Sequence, residues 1–140
     1  MATQEGMPLT DVNGSPLFTL KNGKPELIGT KCRNCDTVVF PKRPQCPKCF
    51  TETMEEILLS TRGKVFSSTV LYQAPGAPFD GEVPYSIGNV ELPEQVLIQS
   101  RFSGSGDTPY PIGTEVELQA EICGKDEAGN HLLMHTFVKV

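Results

Sequence analysis

The chain has 140 residues, of which 38% are hydrophobic and 21% are charged, a composition typical of a globular protein. This length allows one ordinary domain, or a small metal-stapled module beside a domain of about 90 residues. No apolar run approaches the roughly 18 residues of a membrane helix, and the first ten residues lack the basic start and apolar core of a signal peptide. We therefore expect no membrane association. Because the cysteines are spaced for metal and not for disulfides, we also expect the reducing cytoplasm as the compartment.

The net charge of −5 is unevenly distributed along the chain. The stretch from Lys31 to Cys49 contains five cations and one anion, a local balance of +4, so the rest of the chain carries −9. This split argues against a general polyanion-binding protein, and it allows a local anion site within the basic stretch.

The N-terminal segment, residues 1–26, is predicted to contain a β-hairpin. Asn22-Gly23 lies between two short apolar runs, and both residues tolerate the positive φ that a two-residue type I′ turn needs. Pro25 follows the turn and indicates an exposed edge. Because the second strand would run directly into Cys32, we expect the hairpin to pack against the segment that follows.

Four cysteines organise residues 27–62. They form the pairs Cys32-x2-Cys35 and Cys46-x2-Cys49, with ten residues between the pairs. Two intervening residues let a tight turn aim both sulfurs at one point, and two such turns complete the tetrahedron of thiolates that Zn²⁺ prefers. Structural disulfides and a rubredoxin-like iron site are the alternatives. The spacing predicts a zinc ribbon whose closed metal site stabilises the fold and has no vacancy for substrate.

The residues after Cys49 are ambiguous. Thr51 could cap a short helix, but the run from Met54 to Leu59, which mixes apolar residues with two glutamates, also suits a strand that leaves the ribbon. We favour the strand.

From Gly63 onward the pattern indicates strands joined by Gly/Pro-rich loops, with no convincing helix. The predicted strands are GKVFSSTVLY, YSIGNVEL, QVLIQSRF, EVELQAEI and HLLMHTFVKV. Five strands favour an OB-fold barrel over residues 63–140. A sandwich is the alternative, although an immunoglobulin-like sandwich needs about seven strands. The predicted fold class is therefore mainly β: an N-terminal hairpin and a rubredoxin-like zinc ribbon, followed by a five-stranded OB-fold barrel.

A ribbon placed before such a barrel resembles the zinc-ribbon plus OB-fold family of acyl-CoA-associated proteins. The blocks that carry the resemblance are LIGTKCRNCDTVVFPKRPQCPKC, RGKVFSSTVLY, VPYSIGNVELPEQVLIQSRF and IGTEVEL, which together span nearly all of residues 27–122. The resemblance implies zinc on the four paired cysteines. It also implies an accessory subunit bound to a thiolase-like enzyme, with the barrel contacting that partner or its CoA substrate. Many members begin with a helix, whereas this chain begins with the Asn22-Gly23 hairpin.

Candidate catalytic residues outside the cysteine pairs are few. Cys123 lies late in an alternating strand with no base nearby, and it is predicted to be buried and inert. His131 and His135 would lie about 13 Å apart on one face of a strand, too far apart to bind one metal, and are predicted to be structural. We expect no active site in this chain alone.

Two surface features are candidates for binding. One is a basic cluster formed by Lys42, Arg43 and Lys48, which could bind the phosphates of coenzyme A or acidic groups of a partner. The alternative is that these residues are only a charged, solvated surface of the ribbon. The proline-rich loop Ala74–Pro84 carries Phe79, which suits a protein interface or ordinary loop packing.

The leading hypothesis is a non-catalytic zinc-binding subunit in a hetero-oligomeric, thiolase-type acyl-CoA acyltransferase complex. One alternative is a module for single-stranded nucleic acid, because ribbons and OB-folds both bind single strands. The segment from Gly63 onward opposes this alternative, since it has four cations against ten anions. An accessory subunit of an acyl-CoA hydratase and a free-standing acyl-CoA sensor are further alternatives.

Overall fold

The computed structural model describes residues 7–10, 14–73, 83–104 and 106–140, and the regular elements of these residues are all strands. Most of the predicted Ala74–Pro84 loop, with Phe79, lies outside this description. No helix among the described residues is long and apolar enough to cross a membrane. The strands are β1 (Met7–Pro8), β2 (Phe18–Lys21), β3 (Lys24–Cys32), β4 (Val38–Val39), β5 (Met54–Leu58), β6 (Arg62–Leu71), β7 (Tyr85–Glu91), β8 (Leu97–Phe102), β9 (Glu115–Lys125) and β10 (His131–Lys139).

Five of these strands close into a barrel in the order β6-β7-β8-β10-β9, and β9 pairs with β6 to complete the circle. All the pairings are antiparallel except that of β8 with β10, which run parallel. Two of the pairings that close the circle are short: β8 pairs with β10 at two positions and β6 pairs with β9 at three. The short strand β1 pairs with β10 at Leu132 and Leu133, ahead of the residues that pair with β8. The predicted five-stranded OB-fold barrel is confirmed, and the sandwich alternative is wrong.

The predicted hairpin is formed by β2 and β3. Its two turn residues, Asn22 and Gly23, have φ angles of 53° and 77°, as a type I′ turn requires. Strand β3 does not end with the hairpin but continues to Cys32, pairing with β4 and β5 on the way. The segment after Cys49 is therefore a strand, as favoured. The predicted limit between residues 26 and 27 falls inside β3, so the hairpin and the ribbon share one strand. The domain limits 1–26, 27–62 and 63–140 stay predictions.

The ribbon and the barrel also share one hydrophobic core. Phe18 and Leu27 are fully buried and Leu59 is 2% exposed, and all three belong to the same cluster as the barrel interior. The barrel contributes Val65, Val90, Leu92, Val96, Ile98, Phe102, Val116, Leu118, Leu133 and Phe137 to this cluster. Burial of a large apolar side chain stabilises a fold by about 1.5–3 kcal/mol. The hairpin and β5 are therefore part of the barrel's packing.

Candidate metal centre

Each cysteine pair lies on a tight turn, and the two turns have the same backbone geometry. In the first turn the N–H of Asp36 donates to the carbonyl of Cys32 at 2.9 Å, and in the second the N–H of Phe50 donates to the carbonyl of Cys46 at 2.9 Å. Asp36 and Phe50 both adopt a left-handed backbone, with φ angles of 63° and 62°. The repeated C-x2-C motif is thus built as two equivalent knuckles.

The two knuckles bring all four sulfurs together. Cys32 Sγ lies 3.6 Å from Cys49 Sγ, Cys35 Sγ lies 3.6 Å from Cys46 Sγ, and the four sulfurs all lie within 4.8 Å of one another. A Zn–S distance of about 2.3 Å corresponds to sulfur–sulfur edges of about 3.8 Å in a regular tetrahedron. The four thiols are not joined in disulfides, and the donor set fits a tetrahedral Zn²⁺ site. The predicted clustering of Cys32, Cys35, Cys46 and Cys49 is therefore present.

Hydroxyl groups that were not predicted surround the sulfurs. Thr37 Oγ1 lies 3.1 Å from Cys35 Sγ, and Thr51 Oγ1 lies 3.0 Å from Cys49 Sγ. Thr53 Oγ1 lies 3.2 Å from Cys32 Sγ and 2.7 Å from Thr51 Oγ1. The motif C-x2-C-x-T occurs twice in the sequence, so the repeat itself could have revealed the first two threonines. Backbone N–H groups add bonds to Cys32 Sγ and Cys46 Sγ.

These hydrogen bonds change the acidity of the thiols. The hydrogen bond with Thr53 lowers the pKa of Cys32 to about 5, and hydrogen bonds with Thr51 and Asn34 lower the pKa of Cys49 to about 7. For Cys35 the Thr37 hydrogen bond lowers the pKa, but burial and the neighbouring thiols raise it by more, so the net direction is upward. Because thiolate is the metal-binding form, the hydroxyl groups favour the binding state of Cys32 and Cys49. A divalent cation held among the sulfurs would favour the thiolate at all four positions.

The geometry also defines what such a metal would do. The site supplies four protein ligands, with Cys32 and Cys46 fully buried and Cys35 and Cys49 partly buried. Closed four-cysteine sites of this type are structural in zinc proteins, whereas catalytic zinc keeps one position for water or substrate. A metal here would hold β3, the two knuckles and the start of β5 in place.

The predicted basic cluster is only partly assembled. Lys42 Nζ lies 3.2 Å from the Glu56 carboxylate, so this cation is already paired. Arg43 and Lys48 are exposed, and neither forms an ion pair within the described residues. Lys42 and Arg43 line one groove, and Lys48 lies outside its lining. An anion-binding role for the three residues stays a prediction.

The other candidate residues occupy structural positions. Cys123 is 1% exposed, and its Sγ lies 3.4 Å from the carbonyl oxygen of Leu132, in agreement with the prediction of a buried cysteine. His135 is buried, and its Nε2 donates to the carbonyl of Gln99 at 3.0 Å. His131 is exposed at the start of β10.

Two family models match the chain. Residues 23–55 match the rubredoxin-like zinc ribbon domain of ChsH2, and residues 56–121 match the C-terminal OB-fold domain of ChsH2. The matched part stops before β10, the strand that pairs with both β8 and β9 to close the barrel. The two models meet between residues 55 and 56, a point inside β5.

Individual relatives agree with these models. The chain is 42% identical over 92 residues to a DUF35 domain-containing scaffold protein of Methanocaldococcus jannaschii, an alignment that covers 65% of this chain and 64% of that protein. It is 33% identical over 118 residues to the benzoylsuccinyl-CoA thiolase subunit BbsA of Thauera aromatica, covering 83% of this chain and 78% of that protein.

Among solved structures, the Ltp2-ChsH2(DUF35) aldolase contains a similar chain. The match has a TM-score of 0.64 with 25% sequence identity, and it covers 81% of this chain and 84% of that one. The closed barrel, the tetrahedral cluster of thiols, the two domain models and these relatives all agree. The chain therefore belongs to the ChsH2 family of DUF35 proteins, in which a rubredoxin-like zinc ribbon precedes an OB-fold domain.

Proposed function

We propose that this chain is a non-catalytic, zinc-binding subunit of a thiolase-type acyl-CoA C-acyltransferase complex of an acyl-CoA degradation pathway or a related one. The observation that carries the proposal is the 33% identity to a benzoylsuccinyl-CoA thiolase subunit over 83% of this chain. A second thiolase subunit of this kind, from Geobacter metallireducens, is 35% identical over 96 residues.

The residues themselves support an accessory role. Acyl transfer by a thiolase-type mechanism needs a reactive thiolate beside a base. Cys123 is buried and bonded to a backbone carbonyl, and the other four cysteines form the metal cluster. Within the described residues, no cysteine is thus available as a nucleophile in a cleft. We assign the chemistry to a second subunit and expect a hetero-oligomer.

This chain would support assembly of the complex and binding of the CoA ester. The zinc ribbon would hold one docking surface rigid, because metal binding orders a module with little apolar core of its own. In this proposal Lys42, Arg43 and Lys48 meet an anion at the interface, either a phosphate of coenzyme A or a carboxylate of the partner. The compartment proposed is the cytoplasm, where thiols remain reduced and able to bind metal.

A second candidate reaction is an aldol cleavage, because the solved relative is named as an aldolase. Both candidates assign this chain the same accessory role and differ only in the chemistry of the partner. A nucleic-acid-binding role is disfavoured by the ten anions that accompany four cations from Gly63 onward.

Co-expression with a thiolase-like subunit tests the proposal, and the first partner to try is any such subunit that a neighbouring reading frame encodes. We expect one complex in size-exclusion chromatography, with thiolase activity only when both chains are present. A monodisperse lone protein, or full activity of the partner alone, would overturn the proposal. A gel shift with single-stranded DNA at low salt tests the nucleic-acid alternative, and a titration with CoA esters without the partner tests the sensor alternative.

A further inference from the structure

An open groove of about 810 Å³ lies beside the metal cluster and includes the ligand Cys46 in its lining. It is lined by residues of the second knuckle and of the segment before it, together with two residues from the N-terminal part. The lining residues are Thr10, Leu17, Pro41, Lys42, Arg43, Pro44, Gln45, Cys46, Pro47 and Phe50. Three prolines give this surface rigid apolar walls without backbone N–H donors. The groove therefore favours an apolar group over a small polar ligand.

Phe50 is the unusual residue of the groove. Its side chain is 71% exposed, and its backbone has a φ of 62°, a left-handed conformation that bulky residues rarely adopt. The backbone is fixed there by the bond from its N–H to the Cys46 carbonyl and by Gln45, whose Nε2 donates to the Phe50 carbonyl at 2.8 Å. The matching position of the first knuckle is Asp36, a residue type that tolerates this conformation. Neither core packing nor backbone preference explains an aromatic ring at position 50.

Arg43 supplies the charge of the groove. Its side chain is exposed without an ion pair in the described part of the chain, whereas Lys42 is already paired with Glu56. The backbone of Arg43 is held by a hydrogen bond from its N–H to Thr30 Oγ1 at 3.1 Å. A guanidinium group binds carboxylates with two parallel hydrogen bonds. The groove thus combines an exposed aromatic ring with a positioned cation, the residue types that are enriched at the energetic centres of protein interfaces.

We infer that this groove is the docking site for a polypeptide segment of the catalytic subunit that presents an apolar side chain next to a carboxylate. The inference rests on the proposed function and adds a specific surface to it. The apolar side chain packs against Phe50 and the proline walls, and the carboxylate pairs with Arg43. Because Lys42 of the same groove is already paired with Glu56, Arg43 is the groove cation that remains for a carboxylate of the peptide.

Two variants test this surface without breaking the fold. Phe50→Asn removes the ring and places a residue that accepts the left-handed backbone, so zinc content and melting temperature should be retained. Arg43→Glu reverses the charge. The control for F50N is Ile112→Asn, which removes an apolar side chain that is 78% exposed on a barrel loop. The control for R43E is Arg33→Glu, which makes the same charge change at an exposed ribbon residue outside the groove.

The measurement is the affinity for the co-expressed thiolase-like subunit, by surface plasmon resonance at two salt concentrations. We expect F50N to weaken binding about 30-fold and R43E at least about tenfold, with I112N and R33E within about twofold of wild type. The loss of affinity in R43E should be smaller at high salt.

If wild type binds the subunit and F50N and R43E bind it as tightly as the controls do, the docking site is wrong and the proposed function stands. Absence of wild-type binding would overturn both. Binding of CoA alone that R43E abolishes would show a phosphate site and overturn the peptide assignment.

Discussion

The carboxylate of Glu94 binds Ser60 twice: its Oε2 accepts hydrogen bonds from the backbone N–H and from the Oγ of Ser60, both at 2.8 Å. Ser60 lies in the short connection between β5 of the ribbon and β6 of the barrel, whereas Glu94 lies in the turn between β7 and β8. The other carboxylate oxygen of Glu94 is buried without a hydrogen-bond partner among the described residues. One side chain of the barrel thus fixes the path of the chain as it leaves the ribbon.

We predict that Glu94→Ala destabilises the protein by about 1–3 kcal/mol, because it leaves the N–H of Ser60 without its charged acceptor. Glu94→Gln keeps an acceptor without the charge and should cost less. Urea denaturation measures both variants. Glu127→Ala, at an exposed position in the turn before β10, is the control. Equal midpoints for E94A and E127A would show that the Ser60 contact does not stabilise the connection.

A second prediction concerns His135, whose ring is nearly perpendicular to the rings of Phe18 and Phe40, at centroid distances of 6.5 and 5.6 Å. Burial lowers the pKa of His135 below its usual 6.5, and its Nδ1 is buried without an acceptor for a second proton. The unfolded chain therefore binds the proton more tightly than the folded chain. Keeping His135 neutral therefore costs the folded chain nothing above about pH 6.5, the usual pKa of histidine. As the pH falls below this value, the free energy of unfolding decreases by at most about 1.4 kcal/mol per pH unit.

Denaturation at pH 7.5 and pH 5.5 measures this effect as the difference between wild type and His135→Gln. H135Q keeps an N–H donor for the Gln99 carbonyl but has no group that titrates in this range. We expect wild type to lose about 1 kcal/mol more than H135Q between the two pH values. His131→Gln controls for the loss of a histidine at an exposed position. An equal loss in wild type and H135Q would contradict the prediction.

A third prediction concerns the metal. Cys46→Ala or removal of zinc with a chelator should unfold the ribbon, because zinc binding to such sites is worth about 10–16 kcal/mol, more than the usual stability of a whole domain. Metal analysis of the purified protein should give one zinc per chain in wild type and none in C46A. The same analysis distinguishes zinc from iron. Cys123→Ser, at the buried cysteine outside the cluster, should keep its zinc. A ribbon that stays folded after zinc removal would refute the structural role.

A fourth prediction concerns the hydroxyl groups around the sulfurs. Thr53→Val keeps the shape of the side chain and removes the hydrogen bond that lowers the pKa of Cys32. We expect zinc affinity to fall about 10–100-fold, the usual effect of losing a partner of a metal ligand. Competition with a coloured chelator measures this. Thr19→Val, at an exposed position in β2, is the matched control, and equal affinities of the two variants would exclude the role of Thr53.

The features that could be predicted from the sequence depend on local signals. The Asn22-Gly23 turn, the C-x2-C pairs and the alternating strands each act over a few residues, and the structure contains all of them. The choice between helix and strand after Cys49 was harder, because β5 is fixed by pairing with β3, which lies more than 20 residues earlier.

The features that could not be predicted join distant parts of the chain. Thr53 and Cys32 are 21 residues apart, and Ser60 and Glu94 are 34 residues apart. The pairing of Lys42 with Glu56, which removes one cation from the predicted basic cluster, spans 14 residues. Only the tertiary arrangement shows that Phe18 and Leu27 of the hairpin belong to the same core as the barrel interior.

The shared strand β3 has a consequence for the life of the protein in a cell. Leu27, in the common core, and Cys32, in the metal cluster, belong to the same nine-residue strand. A chain made without zinc would hold β3 poorly and would expose apolar surface of the barrel as well as the ribbon. Proteases and chaperones act on chains that expose such surface. We therefore expect the supply of zinc to set how much of this protein accumulates, and through it how many complexes a cell is able to assemble.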